Sequence, residues 1–252
     1  PTETRKQSRE DLLRKVGSSD PLEQMSAFVE LCQDLDDETI SAMIEAYEKK
    51  DWKGIDAMLF LNYFTYAWAK HDPIAALEWS KTRDPFLEQD LVSEAMLSGW
   101  ASVHPEAALT WARENENRRD KEQKRGNDLL IGVIKGMAET NLAGATELMK
   151  ELNYGIYLDK AASTLVTAAW AKGEQTAIDW VENFPEGKVR NSAYEALGKR
   201  LIREDLNRAV EWVDSMDESK IKTKIARETA KAMVIRSPEE AADWVARMPL
   251  GE

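Results

Sequence analysis

Cysteine, histidine, proline and glycine are scarce among the 252 residues of this sequence, and each shortage excludes a class of protein. The single cysteine, Cys32, excludes an internal disulfide and a paired-cysteine metal or redox site. Two histidines leave little room for a Ser-His-Asp or Cys-His catalytic system. Eight prolines and twelve glycines are few for an all-β protein, whose turns use them. No apolar run reaches the roughly 18 residues of a transmembrane helix, so no membrane insertion is predicted.

Basic residues are also in deficit, because 34 Lys and Arg stand against 46 Asp and Glu, a formal charge of −12. This balance argues against a general phosphate-binding surface and therefore against nucleic acid as a partner. The hydrophobic share of 43% and the charged share of 32% are typical of a folded, soluble protein. The chain starts at Pro1 without a methionine, so an upstream signal, anchor or domain is left open and no compartment is predicted.

A repeat of 32 residues is what the sequence does have. Its second anchor is a large apolar residue, with successive spacings of 32, 37, 32, 32 and 32: Trp79, Trp111, Leu148, Trp180, Trp212 and Trp244. An alanine stands three residues before each second anchor: Ala76, Ala108, Ala145, Ala177, Ala209 and Ala241. The first anchor lies ten or eleven residues before the second: Trp68, Trp100, Met137, Trp170, Leu201 and Met233. The residue before the first anchor is small except at Arg200, and small residues let neighbouring helices approach: Ala67, Gly99, Gly136, Ala169 and Ala232.

The two anchors of each unit are separated by a break in helical pattern. The breaks are Asp72-Pro73, His104-Pro105, Asn141-Leu142, Gly173-Glu174, Glu204-Asp205 and Ser237-Pro238. Proline after Asp or Ser is typical of an N-cap followed by the first helical position. Apolar residues around Trp100 recur every three or four positions, as on one face of a helix, and no segment alternates with period two. The sequence therefore predicts an all-α fold, a right-handed α/α superhelix (solenoid) of about seven helical hairpins.

The predicted organisation has two parts within one continuous solenoid. Residues 1–51 hold N-terminal helices, with a short helix at 8–17 and a degenerate hairpin at 21–34 and 37–49, for which Asp36 and Asp37 are capping candidates. Residues 52–252 hold six helix-turn-helix repeats of about 32 residues. Five extra residues in the stretch 113–128 are expected to extend a helix or to form a protruding loop. The sequence ends at a unit junction without the polar capping helix that a stacked array normally has.

Helical hairpins of this length resemble the tetratricopeptide superfamily, although there the aromatic follows alanine by four residues and here by three. A closer resemblance is to uncharacterised bacterial repeat proteins with units of the form W-A-x-x-D-P-x-A-A-x-x-W-x-x-x-L-P-x-G. Residues 68–79 resemble the first part of that unit, and residues 180–187 and 244–251 the second. The units around Leu148 and Leu201 depart from it, because they have no tryptophan there. The resemblance covers about residues 60–252, implies an α-solenoid and carries no catalytic residues.

Tryptophan, histidine, cysteine and acidic residues can bind ligands or catalyse reactions, but those in this sequence have structural explanations. Eight of nine tryptophans occupy the anchors and are expected in the core, whereas Trp52 lies outside the pattern. His71 and His104 lie in turns and give too few ligands for zinc, which needs three or four. Cys32 is expected to be buried and inert on an apolar stripe, and the acidic run 34–38 to be a helix boundary. We therefore predict no catalytic residue, no metal and no cofactor.

Charge follows the repeat register. The position before the second anchor is acidic in five of six units: Glu78, Thr110, Glu147, Asp179, Glu211 and Asp243. Positions two residues before or after the first anchor are often basic, most of all towards the C-terminus. We predict that these basic residues line a groove formed by the first helices and bind an acidic protein segment: Lys135, Lys172, Lys199, Arg203 and Lys231. A solvated face that keeps the array soluble is the alternative interpretation.

The sequence favours a non-enzymatic scaffold for protein-protein or protein-peptide interaction. One alternative is a structural element that assembles end to end through the open repeat ends, with Trp244 and Met248 near such an end. The other is an enzyme built as an α/α toroid, which requires paired carboxylates in a central pocket.

Overall fold

The computed structural model of the protein is helical throughout the part of the chain that it describes. It describes the backbone of residues 2–49, 54–80, 82, 89–123, 128–152 and 155–248, and the side chains of residues 7–49, 58–80, 82, 92–115, 129–152 and 155–248. Every regular element in these ranges is an α-helix and none is a strand, which confirms the all-α prediction. Trp52 and the C-terminal residues 249–252 lie outside the described ranges. The chain divides into two compact units, Pro1–Thr140 and Asn141–Glu252.

The first unit contains eight helices among its described residues. They are α1 (Thr2–Val16), α2 (Pro21–Gln33), α3 (Asp37–Lys49), α4 (Gly54–His71), α5 (Pro73–Ser80), α6 (Gln89–Val103), α7 (Pro105–Gln123) and α8 (Asp128–Ala138). The predicted breaks at Asp72-Pro73 and His104-Pro105 are confirmed, because a helix ends and another begins at each. Helix α1 starts six residues before the predicted position, since residues 2–7 are polar but include no proline or glycine that would interrupt a helix. The insertion lengthens α7 to 19 residues, which confirms the helix-extension alternative as far as Gln123.

Glycines bring the first helices of this unit close together. Helix α6 packs against both α4 and α8. A Cβ atom built on Gly99 would lie 2.0 Å from the carbonyl oxygen of Tyr66 on α4, and one built on Gly136 would lie 2.2 Å from the carbonyl oxygen of Ser98 on α6. Both distances are far inside van der Waals contact, so only glycine permits this spacing. The predicted role of the small residue before the first anchor is confirmed at these two positions.

An aromatic cluster fills the core of the first unit between α2, α4 and α5. The ring centroids of Phe28 and Phe60 are 4.9 Å apart, and Phe60 lies 5.6 Å from Phe64. Trp68 and Trp79, the two anchors of one hairpin, meet with their centroids 5.6 Å apart. In this hairpin the two anchors therefore hold α4 and α5 together by contact between their rings.

The second unit contains seven helices among its described residues. They are α9 (Leu142–Lys150), α10 (Gly155–Trp170), α11 (Glu174–Glu182), α12 (Lys188–Glu204), α13 (Leu206–Ser215), α14 (Lys220–Arg236) and α15 (Pro238–Arg247). Each predicted break in this unit again falls between two helices. The Asp205 carboxylate accepts hydrogen bonds from the amides of Asn207 and Arg208, and the Ser237 hydroxyl accepts one from Glu240, so both residues cap the helices that follow.

In the second unit the helices pack in the order that a hairpin repeat requires. The first helices α10, α12 and α14 contact one another in sequence, and α11 and α13 each pack between the first helix before and the first helix after. Hydrogen bonds join neighbouring second helices, because Trp180 donates to Thr146 at 3.0 Å and Trp244 donates to Asp214 at 2.9 Å. Across both units the six repeat alanines are at most 1% exposed, so all six lie in the core.

The tryptophan anchors are less uniformly buried than predicted. Four of them are buried, namely Trp68, Trp100, Trp212 and Trp244. The other four are half-buried, namely Trp79, Trp111, Trp170 and Trp180. Within the described ranges no helix is both long and apolar enough to cross a bilayer.

Candidate functional site

The second unit separates charge between its first and second helices. The first helices α10, α12 and α14 carry twelve Lys and Arg against four Asp and Glu. The second helices α9, α11, α13 and α15 carry three Lys and Arg against nine Asp and Glu. In the first unit, α4, α6 and α8 have only two lysines against four acids. The basic excess therefore lies on α12 and α14, because α10 carries one lysine and one aspartate.

The acidic positions predicted from the register all lie at the surface. Residues 78, 110, 147, 179, 211 and 243 are exposed, including Thr110, the one residue in the set without a charge. They lie on second helices of both units. An exposed acidic second-helix surface thus accompanies the basic first helices of the second unit.

The five predicted binding residues are divided between the two compact units. Lys135 lies in the first unit on α8, 3.7 Å from the carboxylate of Glu94. Lys172 is exposed in the turn after α10. Lys199 and Arg203 are exposed one helical turn apart on α12, and Lys231 is exposed on α14, where its ammonium group pairs with Glu228 at 2.7 Å. Only Lys199, Arg203 and Lys231 are thus placed on the neighbouring helices α12 and α14. We call the exposed surface of α10, α12 and α14 around them the basic face.

A polar depression lies on the basic face between α10 and α12. Its volume is about 100 Å³, and three cations line it, Lys199, Arg200 and Arg203. The hydroxyl groups of Ser163, Thr167 and Ser192 also line it. Two of these hydroxyls are engaged already, because Ser192 donates a hydrogen bond of 2.6 Å to Asp159 and Thr167 donates one of 2.9 Å to the backbone carbonyl of Ser163. The carboxylates of Asp159 and Glu195 also line the depression. Its three cations are nevertheless groups that bind a carboxylate.

A second depression lies between α12 and α14, and its floor is apolar. Its volume is about 260 Å³, and Gly198, Ile202 and Ile225 line it. Its rim is charged and carries Lys199, Lys224, Glu195 and Glu228. Gly198 has no side chain, and a Cβ atom added there would lie 2.8 Å from the Cγ2 atom of Ile225. The glycine therefore leaves the depression open on the α12 side. We call it the apolar-floored depression.

Lys199 lies at the wall shared by the two depressions, together with Glu195. Its neighbours are paired: Lys224 binds Glu195 at 2.5 Å, and Arg203 lies 3.8 Å from Glu204. Among the residues that the structure describes, no carboxylate lies within ion-pair distance of the Lys199 ammonium group. The pKa of Glu228 is lowered, chiefly by the hydrogen bond from Lys231, with a smaller contribution from the positive charge of Lys199. Lys199 is therefore a cation that remains available to an incoming anion.

Arg200 is the exception to the small-residue pattern, and its side chain has a structural role. Its guanidinium group lies over the ring of Trp170, 5.3 Å from the centroid, and its Nε atom lies 3.1 Å from Glu204. The stacked group therefore joins α12 to the first anchor of the preceding hairpin.

Apart from Lys199 and Arg203, the residues that shape the two depressions were not predicted from the sequence. Lys224 could have been found, because it lies seven residues before Lys231 and thus two turns away on the same helix face. Gly198 and Ile202 carry no comparable signal, since an apolar patch on an exposed face depends on how α12 and α14 pack. The sequence does not identify the serines and the threonine of the polar depression either, because hydroxyl residues are common on any helix surface.

Two larger cavities lie elsewhere. One of about 580 Å³ lies where α12 and α14 begin, and there Arg190 and Lys220 face Glu186 and Glu218, so charges of both signs line it. The other, of about 530 Å³, lies in the first unit between α2 and α4 and is lined mainly by apolar and aromatic side chains. It includes Cys32, which is half-buried, and burial raises the pKa of this thiol to about 12. The thiol is therefore protonated at neutral pH, as predicted, but less buried than predicted.

The other residues considered as candidates for catalysis or metal binding are the two histidines and the acidic run 34–38. His71 is exposed at the end of α4, 3.5 Å from Asp37, and His104 is exposed between α6 and α7. The acidic run is a helix boundary, because Asp36 accepts a hydrogen bond from the Thr39 amide at 2.7 Å and also pairs with Arg9. The described residues contain no group of three or more His, Cys, Asp or Glu arranged to hold a metal ion.

Comparison with known proteins finds no match among protein-family models, curated proteins or solved structures. The candidate site therefore rests on the geometry and the charges of the second unit.

Proposed function

We propose that this protein is a non-enzymatic helical scaffold that binds an acidic segment of a partner protein or peptide on its basic face. The observation that supports the proposal is the excess of basic over acidic residues on α12 and α14, eleven against three. Lys199, which has no ion-pair partner among the described residues, lies between two depressions on this surface. In a protein of charge −12 such a cluster attracts anions locally while the rest of the surface repels them. Charge complementarity of this kind determines the choice of partner and the rate of encounter.

The hairpins of the two units are proposed to form one right-handed α/α superhelix of about seven hairpins, similar to the tetratricopeptide superfamily. Consecutive first helices contact one another within each unit, as in stacked repeats, and this packing supports the proposal. A stacked array offers a long surface built from equivalent positions of successive repeats, which suits an extended or helical peptide.

The proposal is tested by binding of a short, fluorescently labelled peptide of alternating aspartate and serine, measured by fluorescence anisotropy at low ionic strength. The double variant Lys199→Glu with Arg203→Glu replaces attraction by repulsion at the polar depression. We expect it to bind the peptide at least about tenfold more weakly than the unchanged protein, because two exposed ion pairs are lost and two repulsions added.

The matched control is the double variant Lys150→Glu with Arg247→Glu, which makes the same change of charge on the second helices α9 and α15. We expect it to bind the peptide nearly as well as the unchanged protein. Equal weakening by both double variants would show that net charge alone governs binding, and absence of binding to the unchanged protein would refute the proposed function.

A further inference from the structure

The two depressions of the basic face differ in chemistry although they share a wall. The polar depression is bordered by Lys199, Arg200 and Arg203, with hydroxyl groups beside them. The apolar-floored depression has Gly198, Ile202 and Ile225 beneath a charged rim. A purely acidic ligand would satisfy the first depression and leave the second filled only with water.

We infer that the basic face recognises an acidic segment that contains one large apolar side chain, with that side chain in the apolar-floored depression and a neighbouring carboxylate on Lys199. This inference rests on the proposed function and names the ligand more closely. The occupant is a segment of a partner protein, and the argument for its acidity is the charge complementarity of α10, α12 and α14.

The depression has the size and lining that such an anchor needs. Its volume of about 260 Å³ is sufficient for a leucine or phenylalanine side chain. Ile225 is 3% exposed and belongs to the core, so it gives the floor a fixed position. Ile202 is half-buried and completes the α12 side. Burial of an apolar side chain against these groups contributes affinity that salt does not screen.

The rim explains why the flanking residues of the ligand should be acidic. Glu195 and Glu228 also lie at the rim, but Lys224 and Lys231 pair with them. Lys199 is left at the wall between the depressions, where it can bind a carboxylate of the residue next to the anchor. Arg203, one turn further along α12, offers a second contact for the following carboxylate.

The test compares two short acidic peptides that differ only in a central leucine or serine, titrated against the full chain by fluorescence anisotropy. We expect the leucine peptide to bind about tenfold or more tightly than the serine peptide. The variant Ile202→Ser removes one wall of the depression and should bind both peptides with the affinity that the unchanged protein has for the serine peptide. The control Ile235→Ser makes the same chemical change on α14 at a side chain that is 89% exposed, and it should retain the preference for leucine.

The outcomes distinguish failure of this inference from failure of the proposed function. Equal binding of the two peptides by the unchanged protein would overturn the apolar anchor and leave the acidic-segment function standing. A preference for leucine that persists in Ile202→Ser would place the leucine elsewhere and would also overturn the inference. Failure of both peptides to bind at low ionic strength would refute the proposed function, and the anchor with it.

Discussion

Gly136 shows how one residue determines the distance between two helices. It precedes the first anchor Met137, and its Cα atom lies so near α6 that an added Cβ would be 2.2 Å from the carbonyl oxygen of Ser98. The same Cβ would lie 2.8 Å from the Cβ atom of Ala101. The carbonyl oxygen belongs to the backbone and the Cβ atom to a buried alanine, so neither atom can move away by rotation of a side chain.

We predict that Gly136→Ala lowers the free energy of unfolding by about 1–3 kcal/mol, because α8 must move away from α6 to admit the methyl group. Urea denaturation followed by circular dichroism measures the change. The matched control is Gly155→Ala on α10, where nothing lies within 4 Å of the added Cβ, and it should leave stability unchanged or slightly raised. An alanine variant at 136 that is as stable as the control would contradict the packing described for α6 and α8.

At the scale of the helix, the sequence predicts the ends of the helices better than it predicts which surface side chains pair with one another. Asp and Ser before proline, and Asp205 before α13, identify helix starts because their side chains cap the free amides of the first turn. The spacing of the anchors identifies which helix faces are buried. These signals are local, so one sequence is enough to interpret them.

The functional surface depends on contacts between helices, and there the sequence was less informative. The register placed Lys199, Arg203 and Lys231 on exposed positions, which the structure confirms. It did not indicate that Glu195 and Glu228 pair with Lys224 and Lys231 and that Lys199 has no ion-pair partner within the described ranges, because such pairing is decided by side chains of neighbouring helices. Nor did it separate Lys135 from the other four, since the division after Thr140 follows the density of helix contacts, which the anchors do not encode.

For the whole molecule, the repeat predicts a shape that can be measured. The proposed continuous superhelix of about seven hairpins would be longer than it is wide. Small-angle X-ray scattering should therefore give a radius of gyration clearly above the roughly 18 Å of a compact domain of 252 residues. A value near that of a compact domain would contradict the continuous superhelix and would favour a closed arrangement such as a toroid.

The charge of the whole molecule also bears on its binding. Because the protein carries −12 overall, we expect acidic ligands to be attracted where basic residues are in excess, as on α12 and α14 of the second unit. The attraction has a range of about 10 Å at 0.1 M salt, so binding should depend on the basic face alone and weaken as salt is added.

The most direct measurement of the central claim is to locate a bound acidic peptide on the chain. A photoreactive residue replaces the central leucine of the acidic peptide, the mixture is illuminated, and the cross-linked residues are identified by mass spectrometry. We predict cross-links on α12 and α14, around Gly198, Ile202 and Ile225. Cross-links confined to the second helices or to the first unit would contradict it, as would an equal yield from a basic peptide of the same length.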